Sequence, residues 1–185
     1  TRYWRDWSSD VCSSDLVVPS PTHIAELLAH AHPLTSRLTA HDMVWRVVGG
    51  ATRDLVGGVV ATDVDIEVVA TPIADVYACL KEAFPQAILV AGEKPVIRVR
   101  MHQQWFDVSV TVHHNLTTAA ATRDFTMNAF SIDANGVFHD PYGGVADMQA
   151  GVIRHIGTAL VDDPLRVLRI MRFAGLYGMQ VAADT

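Results

Sequence analysis

The segment Val47–Val69 reads VVGGATRDLVGGVVATDVDIEVV, and its pattern sets the order of the first elements. The apolar run Met43–Val48 predicts a strand that enters Gly49-Gly50. Ala51–Val56 then has helical character and ends at a second glycine pair. Val64–Val69 is rich in β-branched residues that alternate with acids, which predicts another strand. The stretch therefore indicates strand, tight turn, helix and strand in succession.

The rest of the chain continues with short helical and extended patterns. Helical spacing occurs in Thr22–Ala31 with Thr22 as N-cap, Pro72–Phe84, Ala119–Ala129 and Pro164–Tyr177. Strand patterns occur in Ala87–Val90, Val96–Arg100, Trp105–Val110 and Val152–Ile156, and Phe130–Asp133 with Val137–His139 flanks the hairpin signal Ala134-Asn135-Gly136. Together they predict an α+β fold with a mixed β-sheet flanked by helices.

Composition excludes several classes of protein. The chain has 185 residues, of which half are hydrophobic and 18% are charged, so it can bury a core. No apolar run approaches the roughly 18 residues of a membrane helix. A net charge of −6 argues against a basic nucleic-acid coat protein. The two cysteines, Cys12 and Cys79, form neither a disulfide framework nor a CxxC site, which favours a cytoplasmic location.

The first sixteen residues form a separate case. Residues 1–16 read TRYWRDWSSDVCSSDL and show no hydrophobic period. Asp6–Leu16 resembles a translated sequencing adapter, so we expect residues 1–16 to be non-native and leave them out of the fold. A natural disordered N-terminus is the alternative interpretation.

The sharpest chemical signal is Asp63-Val64-Asp65 at the start of a predicted strand. Residues two apart on a strand share a face, so both carboxylates would point the same way. Such a pair can bind one or two Mg²⁺ ions, which prefer oxygen ligands, and metal pairs support phosphoryl transfer. Two exposed acids at the end of a strand are the alternative.

Gly49-Gly50 lies between a predicted strand and a predicted helix, about a dozen residues before the acids. Glycines let backbone N–H groups approach phosphates, and a helix N-terminus favours an anion. Arg53 places a positive charge in the first turn, against the helix dipole, which suggests a ligand. The pattern is neither a Walker loop nor a GxGxxG fingerprint. A tight turn with a solvated arginine remains the alternative.

Three further groups are candidates. Asp107 shares a strand face with Trp105 and Ser109 and is a candidate third carboxylate or a surface acid. Arg123 is a candidate phosphate or ribose contact, or half of a surface pair with Asp124. In the last predicted helix, Asp163 is a candidate ligand contact or an N-cap before Pro164, and an arginine stripe follows at Arg166, Arg169 and Arg172.

The last predicted helix is apolar almost all round and needs cover on most sides. Little chain follows Tyr177 to supply that cover. We therefore expect the sequence to be a fragment that lacks further C-terminal helices.

Four motifs occur in an order that resembles the bacterial CCA-adding tRNA nucleotidyltransferases and their poly(A) polymerase relatives. They are Gly49-Gly50-Ala51-Thr52-Arg53-Asp54 with Asp63-Val64-Asp65, then Arg123-Asp124-Phe125-Thr126-Met127-Asn128-Ala129, then Asp140-Pro141-Tyr142-Gly143-Gly144, and finally Asp162-Asp163-Pro164-Leu165-Arg166-Val167-Leu168-Arg169. The resemblance runs from about Val44 to Tyr177. Each motif alone is modest, but four in this order are highly specific.

The resemblance implies a polymerase-β-like head followed by the start of an all-helical neck. The expected divisions are residues 17–42 as an N-terminal helical segment, 43–158 as the head and 159–185 as the beginning of the neck. The resemblance also implies Mg²⁺ on Asp63 and Asp65. Asp107, a candidate from the strand pattern alone, would complete the metal site or accept the proton. It places the triphosphate on Gly50 and Arg53 and further nucleotide contacts on Arg123, Asp163, Arg166, Arg169 and Arg172.

The implied activity is template-independent transfer of CMP and AMP from CTP and ATP to the tRNA 3′ end, with release of pyrophosphate. The family's base choice maps onto Asp163 and Arg166. Cytosine and adenine share an exocyclic amine and an adjacent unprotonated ring nitrogen, so a carboxylate and a guanidinium can pair with both. Uracil and guanine would leave unpaired groups, which are costly. Poly(A) polymerase, or an enzyme that adds only CC or only A, is the alternative, and no membrane partner is expected.

Overall fold

The computed structural model describes residues 17–59, 61, 63–101 and 104–185. The adapter interpretation of residues 1–16 lies outside the described residues. Over the described ranges, the protein contains no helix with the length and apolar character needed to span a membrane.

Seven helices and nine strands make up the described structure. The helices are α1 (Pro21–Ala40), α2 (Gly50–Val56), α3 (Ile73–Ala83), α4 (Leu116–Ala120), α5 (Gly144–Gln149), α6 (Ala159–Asp162) and α7 (Arg166–Tyr177). The strands are β1 (Trp45–Val48), β2 (Val64–Val69), β3 (Ile88–Val90), β4 (Val96–Met101), β5 (Gln104–Thr111), β6 (Ser131–Asp133), β7 (Phe138–His139), β8 (Val152–Ile153) and β9 (Gln180–Val181). The predicted α+β class is confirmed.

The main sheet has seven strands in the order β3-β4-β5-β2-β1-β6-β7. Its neighbours pair antiparallel except β2 and β5, which run parallel in the centre of the sheet. A separate two-stranded sheet joins β8 to β9. The predicted mixed sheet is therefore present, and its single parallel pair brings the starts of β2 and β5 side by side.

Two apolar clusters hold the layers together. The larger cluster packs α1, α2 and α3 against the sheet through fully buried side chains such as Leu34, Leu55 and Leu80. The smaller cluster gathers Phe125, Phe130, Met148 and Ile153 and takes in Phe173 from α7. Phe173 meets the edge of Phe125 at 5.8 Å between ring centroids. Because this contact is made by the same helix that carries the arginine stripe, it positions those arginines over the sheet.

The first helix differs from its prediction. It begins at Pro21, and the N-cap is Ser20, whose hydroxyl accepts a hydrogen bond from the His23 N–H, so the assignment of the cap to Thr22 is wrong. Proline at the first helical position needs no hydrogen-bond partner for its nitrogen, which explains the earlier start. The helix also continues through Pro33 to Ala40 because Leu27, Leu34 and Leu38 are buried along one face.

The prediction of a helix over Ala119–Ala129 is also wrong. Helix α4 ends at Ala120, and only a short 3₁₀ turn follows at Thr126–Asn128. Between them the Asp124 carboxylate accepts hydrogen bonds from the Phe125 N–H and the Asn128 side chain. Such local bonds compete with a helix. Phe125 is consequently extended and carries its ring into the smaller cluster.

The remaining helix and strand boundaries agree in part with those predicted from the sequence. Val64–Val69 is a strand over its whole predicted length, and the hairpin turn contains Gly136 at a φ of 78°. The strand predicted over Val152–Ile156 ends at Ile153. The last helix begins at Arg166, two residues later than predicted, and ends at Tyr177, where Gly178 caps it in a left-handed conformation. The divisions at residues 42/43 and 158/159 remain predictions.

Candidate active site

One cleft collects most of the charged residues that the sequence singles out. It encloses about 1150 Å³ between the carboxylate-bearing part of the sheet and helix α7. Among the residues that line it are Gly49, Gly50, Arg53, Asp65, Asp107, Arg123, Arg166, Arg169 and Arg172. Two predicted site residues, Asp63 and Asp163, are not part of its lining. The fold therefore gathers residues that are more than a hundred positions apart in the chain.

Asp65 and Asp107 are direct neighbours on the parallel strands β2 and β5. Asp65 faces the open cleft, but the surrounding walls still limit its hydration. That partial burial raises the pKa of the Asp65 carboxyl above its ordinary value, and the negative charges of Asp107 and Asp63 raise it further. Arg123 and a hydrogen bond from the Gly50 backbone act in the opposite direction. The site is thus short of positive charge next to Asp65.

Asp63 occupies an exposed bend immediately before β2. Because it is outside the strand, strand alternation alone does not fix the direction of its side chain. Its charge nevertheless acts on both Asp65 and Arg98.

The turn between β1 and α2 comes close to the Asp65 carboxylate. Gly49 has a φ of 75° and a ψ of −143°, a backbone conformation that only glycine adopts readily. A Cβ atom at position 49 would overlap the Asp65 Oδ2 atom. Gly49 is therefore required twice, once for the backbone turn and once for the space beside the carboxylate. As a result, the first backbone N–H groups of α2 lie next to the acids.

Asp107 has a cationic partner that the sequence reading missed. Arg98 lies opposite it on β4, and its Nε and Nη2 atoms donate to the two carboxylate oxygens at 2.9 Å each. Hydrogen bonding to Asp107 and the charges of the nearby acids raise the pKa of Arg98. Arg98 was not recognisable in the sequence, because only the β4–β5 register places it across from Asp107.

Arg53 is held by groups from three parts of the chain and is not a solvated surface residue. Its guanidinium donates to Asp54 at 2.8 Å and to the Asn128 side chain at 2.9 Å. It also lies over the rings of Phe173 and Tyr177 at 5.5 and 5.6 Å. Burial raises the pKa of Asp54, although Arg53 partly offsets this effect. Arg53 therefore lines the cleft and links α2 to α7 at the same time.

The arginines on the opposite wall have acidic partners. Arg169 forms an ion pair with the buried Asp124 carboxylate at 2.7 Å, and Arg166 approaches Asp163 at 3.6 Å. The Asp163 Oδ1 atom accepts a hydrogen bond from the Leu165 N–H, so Asp163 caps the turn before α7 but is not the N-cap residue of that helix. A surface pair between Arg123 and Asp124 does not form.

Arg123 pairs with an acid that the sequence analysis did not select. Its Nη2 atom donates to Glu67 at 2.8 Å, and the other Glu67 oxygen accepts from Arg46 at 2.7 Å. Glu67 is two residues after Asp65 in the same alternating pattern of acidic and apolar residues, and this spacing could have marked it as a candidate site residue. Its two arginines, however, come from distant parts of the chain and are found only in the folded protein.

The acidic end of the cleft fits a divalent cation. In the described part of the chain, no three His, Cys, Asp or Glu side chains are arranged as a complete metal cage. Mg²⁺ typically needs only one or two carboxylates when substrate phosphates supply further oxygens. Asp65 offers carboxylate oxygens in a place where like charges crowd and raise its pKa. A hard divalent cation would relieve that repulsion, so the donor chemistry is suitable for Mg²⁺.

The site is thus a mixed sheet that presents neighbouring aspartates beneath a glycine turn. The model of the family described as poly A polymerase head domain matches residues 45–154, and the chain belongs to that family. Members of this family are generally metal-dependent.

Known proteins of similar sequence and structure carry CCA-related names. The multifunctional CCA protein of Nitrosomonas eutropha is 40% identical over 151 residues, which cover 75% of this chain and 36% of that protein. The CCA-adding enzyme of Bacillus stearothermophilus in complex with CTP superimposes with a TM-score of 0.74 at 31% identity, over 86% of this chain and 42% of that one. A CCA-adding enzyme in complex with ATP gives a TM-score of 0.71 at 26% identity, over 86% of this chain and 41% of that one. The chain thus spans little more than a third of the length of the curated relatives it matches.

Proposed function

We propose that this chain carries the catalytic head of a CCA-adding tRNA nucleotidyltransferase, which transfers CMP and AMP from CTP and ATP to the tRNA 3′ end in the cytoplasm. The observation that carries the proposal is the single cleft that has Asp65 and Asp107 on the sheet and three arginines of α7 on the facing wall. The CCA-related names of similar proteins support the same activity.

The nucleotide is expected to lie between the glycine turn and α7. Gly50 begins α2 and lines the cleft, and Arg53 and Arg123 add positive charge along it. A triphosphate is strongly anionic, so it complements these groups and the arginines at 169 and 172.

Asp163 and Arg166 are proposed to read the base. Asp163 lies in the turn before α7, Arg166 is the first residue of that helix, and their side chains approach each other at 3.6 Å. Asp163 would accept a hydrogen bond from the exocyclic amine of cytosine or adenine, and Arg166 would donate to the adjacent ring nitrogen. A base that presents a carbonyl and an N–H there would leave both side chains unpaired, which costs binding free energy.

Asp63 and Asp65 are the residues that would hold Mg²⁺. When bound, the ion would lower the pKa of the attacking hydroxyl and offset charge that develops on the phosphate. Asp107 would complete this acidic group or accept the proton of the tRNA 3′ hydroxyl. The hydroxyl attacks the α-phosphate, a new phosphodiester bond forms, and the bond to the pyrophosphate leaving group breaks.

We do not expect the head alone to extend tRNA, so the test uses the full-length protein and a tRNA that ends at the discriminator base. With CTP alone, we expect addition of two residues, and ATP should add a single residue only after those two. A tRNA that already carries CCA serves as the control and should not be extended. Addition of several AMP residues to unrelated RNA ends would instead identify a poly(A) polymerase. Addition that stops after CC would identify an enzyme that adds only CC. Addition of AMP that requires a preformed CC end would identify an enzyme that adds only A. Absence of any transfer in the presence of Mg²⁺ would contradict the proposal.

A further inference from the structure

A buried carboxylate, Glu67, bridges two arginines beside the cleft. Glu67 lies on β2 two residues after Asp65, and its side chain is only 8% exposed. One of its oxygens accepts from Arg46 at 2.7 Å, and the other accepts from Arg123 at 2.8 Å. Both carboxylate oxygens are therefore engaged by guanidinium groups that come from distant parts of the chain.

The two arginines differ in their surroundings. Arg46 is 5% exposed, pairs with Glu67 across the β1–β2 register and also donates to the His113 carbonyl at 3.3 Å. Arg123 is 26% exposed and faces the large cleft. Two positive charges share one negative charge, so the group keeps an excess positive charge. Because Arg46 is enclosed by the sheet, the accessible part of that excess is on Arg123.

The side chain of Arg123 is held in place by another side chain and not by its own backbone segment. It follows α4 in a stretch without helix or strand, where the backbone does little to restrict a long side chain. An unrestrained arginine loses considerable rotamer entropy when it binds a ligand. A buried hydrogen bond to Glu67 imposes that restriction in advance, which is how preorganisation improves affinity.

We propose that Glu67 is a positioning residue that aims Arg123 at the bound nucleotide, and that Arg46 fixes Glu67 for this purpose. The proposal rests on the proposed nucleotide-binding role of the cleft. Glu67 does not touch the reacting atoms, and it acts through Arg123. Its carboxylate accepts from one side of the Arg123 guanidinium, which leaves the remaining N–H groups available to an anionic ligand.

The first test measures CTP binding to the full chain by calorimetry. Glu67→Asp keeps the negative charge for Arg46 but withdraws the carboxylate by one methylene, and we expect CTP affinity to fall about 10- to 100-fold, the range of a lost charged hydrogen bond. Glu67→Gln should give a similar loss. Glu26→Gln changes an exposed glutamate on α1 in the same way and should bind like the wild type. Unchanged affinity in folded Glu67→Asp protein would overturn the proposal.

A double-mutant cycle separates positioning from general stability. If Glu67 acts through Arg123, Glu67→Asp should cause little further loss of CTP affinity in an Arg123→Ala background. A purely structural role would give the same fold-loss in both backgrounds. Equal losses would therefore overturn the proposal even if the variants melt at lower temperature.

A third measurement needs no nucleotide. Side-chain ¹⁵N relaxation of Arg123, assigned by the signal missing in Arg123→Lys, should report a restricted guanidinium in the wild type and a mobile one in Glu67→Asp. A guanidinium that stays equally restricted in the variant would contradict the positioning role. If the wild-type chain failed to bind CTP, the proposed function would fall, and the relaxation data would still decide whether Glu67 positions Arg123.

Discussion

Asp65 and Asp107 face each other across the only parallel strand pair of the seven-stranded sheet described here. Parallel pairing aligns the starts of β2 and β5, so the two carboxylates meet although 42 positions separate them. Of these two carboxylates, Asp107 is the one whose oxygens both accept from a single guanidinium, that of Arg98. Among the residues that the structure describes, none is such a bidentate partner of Asp65, and the raised pKa of Asp65 reflects burial and the neighbouring negative charges. This asymmetry singles out Asp65 as the carboxylate that benefits most from an added cation.

Replacing Asp65 should remove catalysis without harming the fold. In Asp65→Asn the side chain keeps its size but loses the charge that a divalent cation requires. We expect CTP incorporation to fall at least about a hundredfold, as is common when a charged group acting in the transition state is lost. Asp75→Asn, an exposed change on α3, is the control and should retain activity. Near-normal incorporation by the Asp65 variant would refute the metal-binding role.

The same substitution should stabilise the protein in a pH-dependent manner. Because the folded-state pKa of Asp65 is raised, the unfolded chain releases the proton first as pH rises above about 3.8. Folding of the wild type is therefore penalised increasingly until pH exceeds the folded-state pKa. The melting temperature of Asp65→Asn should equal that of the wild type near pH 3 and exceed it at pH 7. A difference that does not change with pH would contradict this explanation.

A methyl group at Gly49 should disturb both the turn and the acidic site. Gly49→Ala forces a side chain into a backbone region that costs about 1–3 kcal/mol and into the space of the Asp65 carboxylate. We expect a lower free energy of unfolding in urea and loss of nucleotide transfer. Gly58→Ala is a matched control, because Gly58 has a φ of 74° but open space around it. If the two variants lose the same stability and both remain active, the contact with Asp65 is unimportant.

Arg53 should matter for the attachment of α7 as well as for nucleotide binding. Arg53→Ala removes the bonds to Asp54 and Asn128 and the stacking on Phe173, so we expect a loss of about 2 kcal/mol and faster hydrogen exchange across Arg166–Tyr177. Arg37→Ala, which removes an α1 side chain bonded to α3, should leave the exchange of α7 unchanged. Unaltered α7 exchange in the Arg53 variant would show that the link is not needed.

Arg166 is predicted to control the choice of base. In Arg166→Ala the donor to the ring nitrogen is lost, and Asp163 no longer has its cationic neighbour at 3.6 Å. We expect the preference for CTP over UTP, measured as a ratio of kcat/KM values, to fall at least about tenfold. Arg154→Ala removes an arginine from outside the cleft and should keep the preference. Unchanged discrimination would count against a templating role.

Local patterns were sufficient for much of the fold. The strand Val64–Val69 followed from alternation, and the ends of α2 and α7 followed from the glycines after them. The pattern failed over Ala119–Ala129, where the buried Asp124 carboxylate bonds its own neighbours and interrupts the helix. Composition does not reveal whether side-chain hydrogen bonds will replace those of a helix, because the outcome depends on whether the polar side chain is buried.

The order of elements, the glycine turn and the candidate carboxylates could be predicted from the amino-acid sequence, because these features depend on residues that are close together in the chain. The tertiary structure alone decided which charges meet. It paired Arg98 with Asp107 and joined Glu67 to Arg46 and Arg123, through strand register and the packing of distant segments. Electrostatic interactions depend on distance in space, and only the folded sheet and the docked α7 fix those distances.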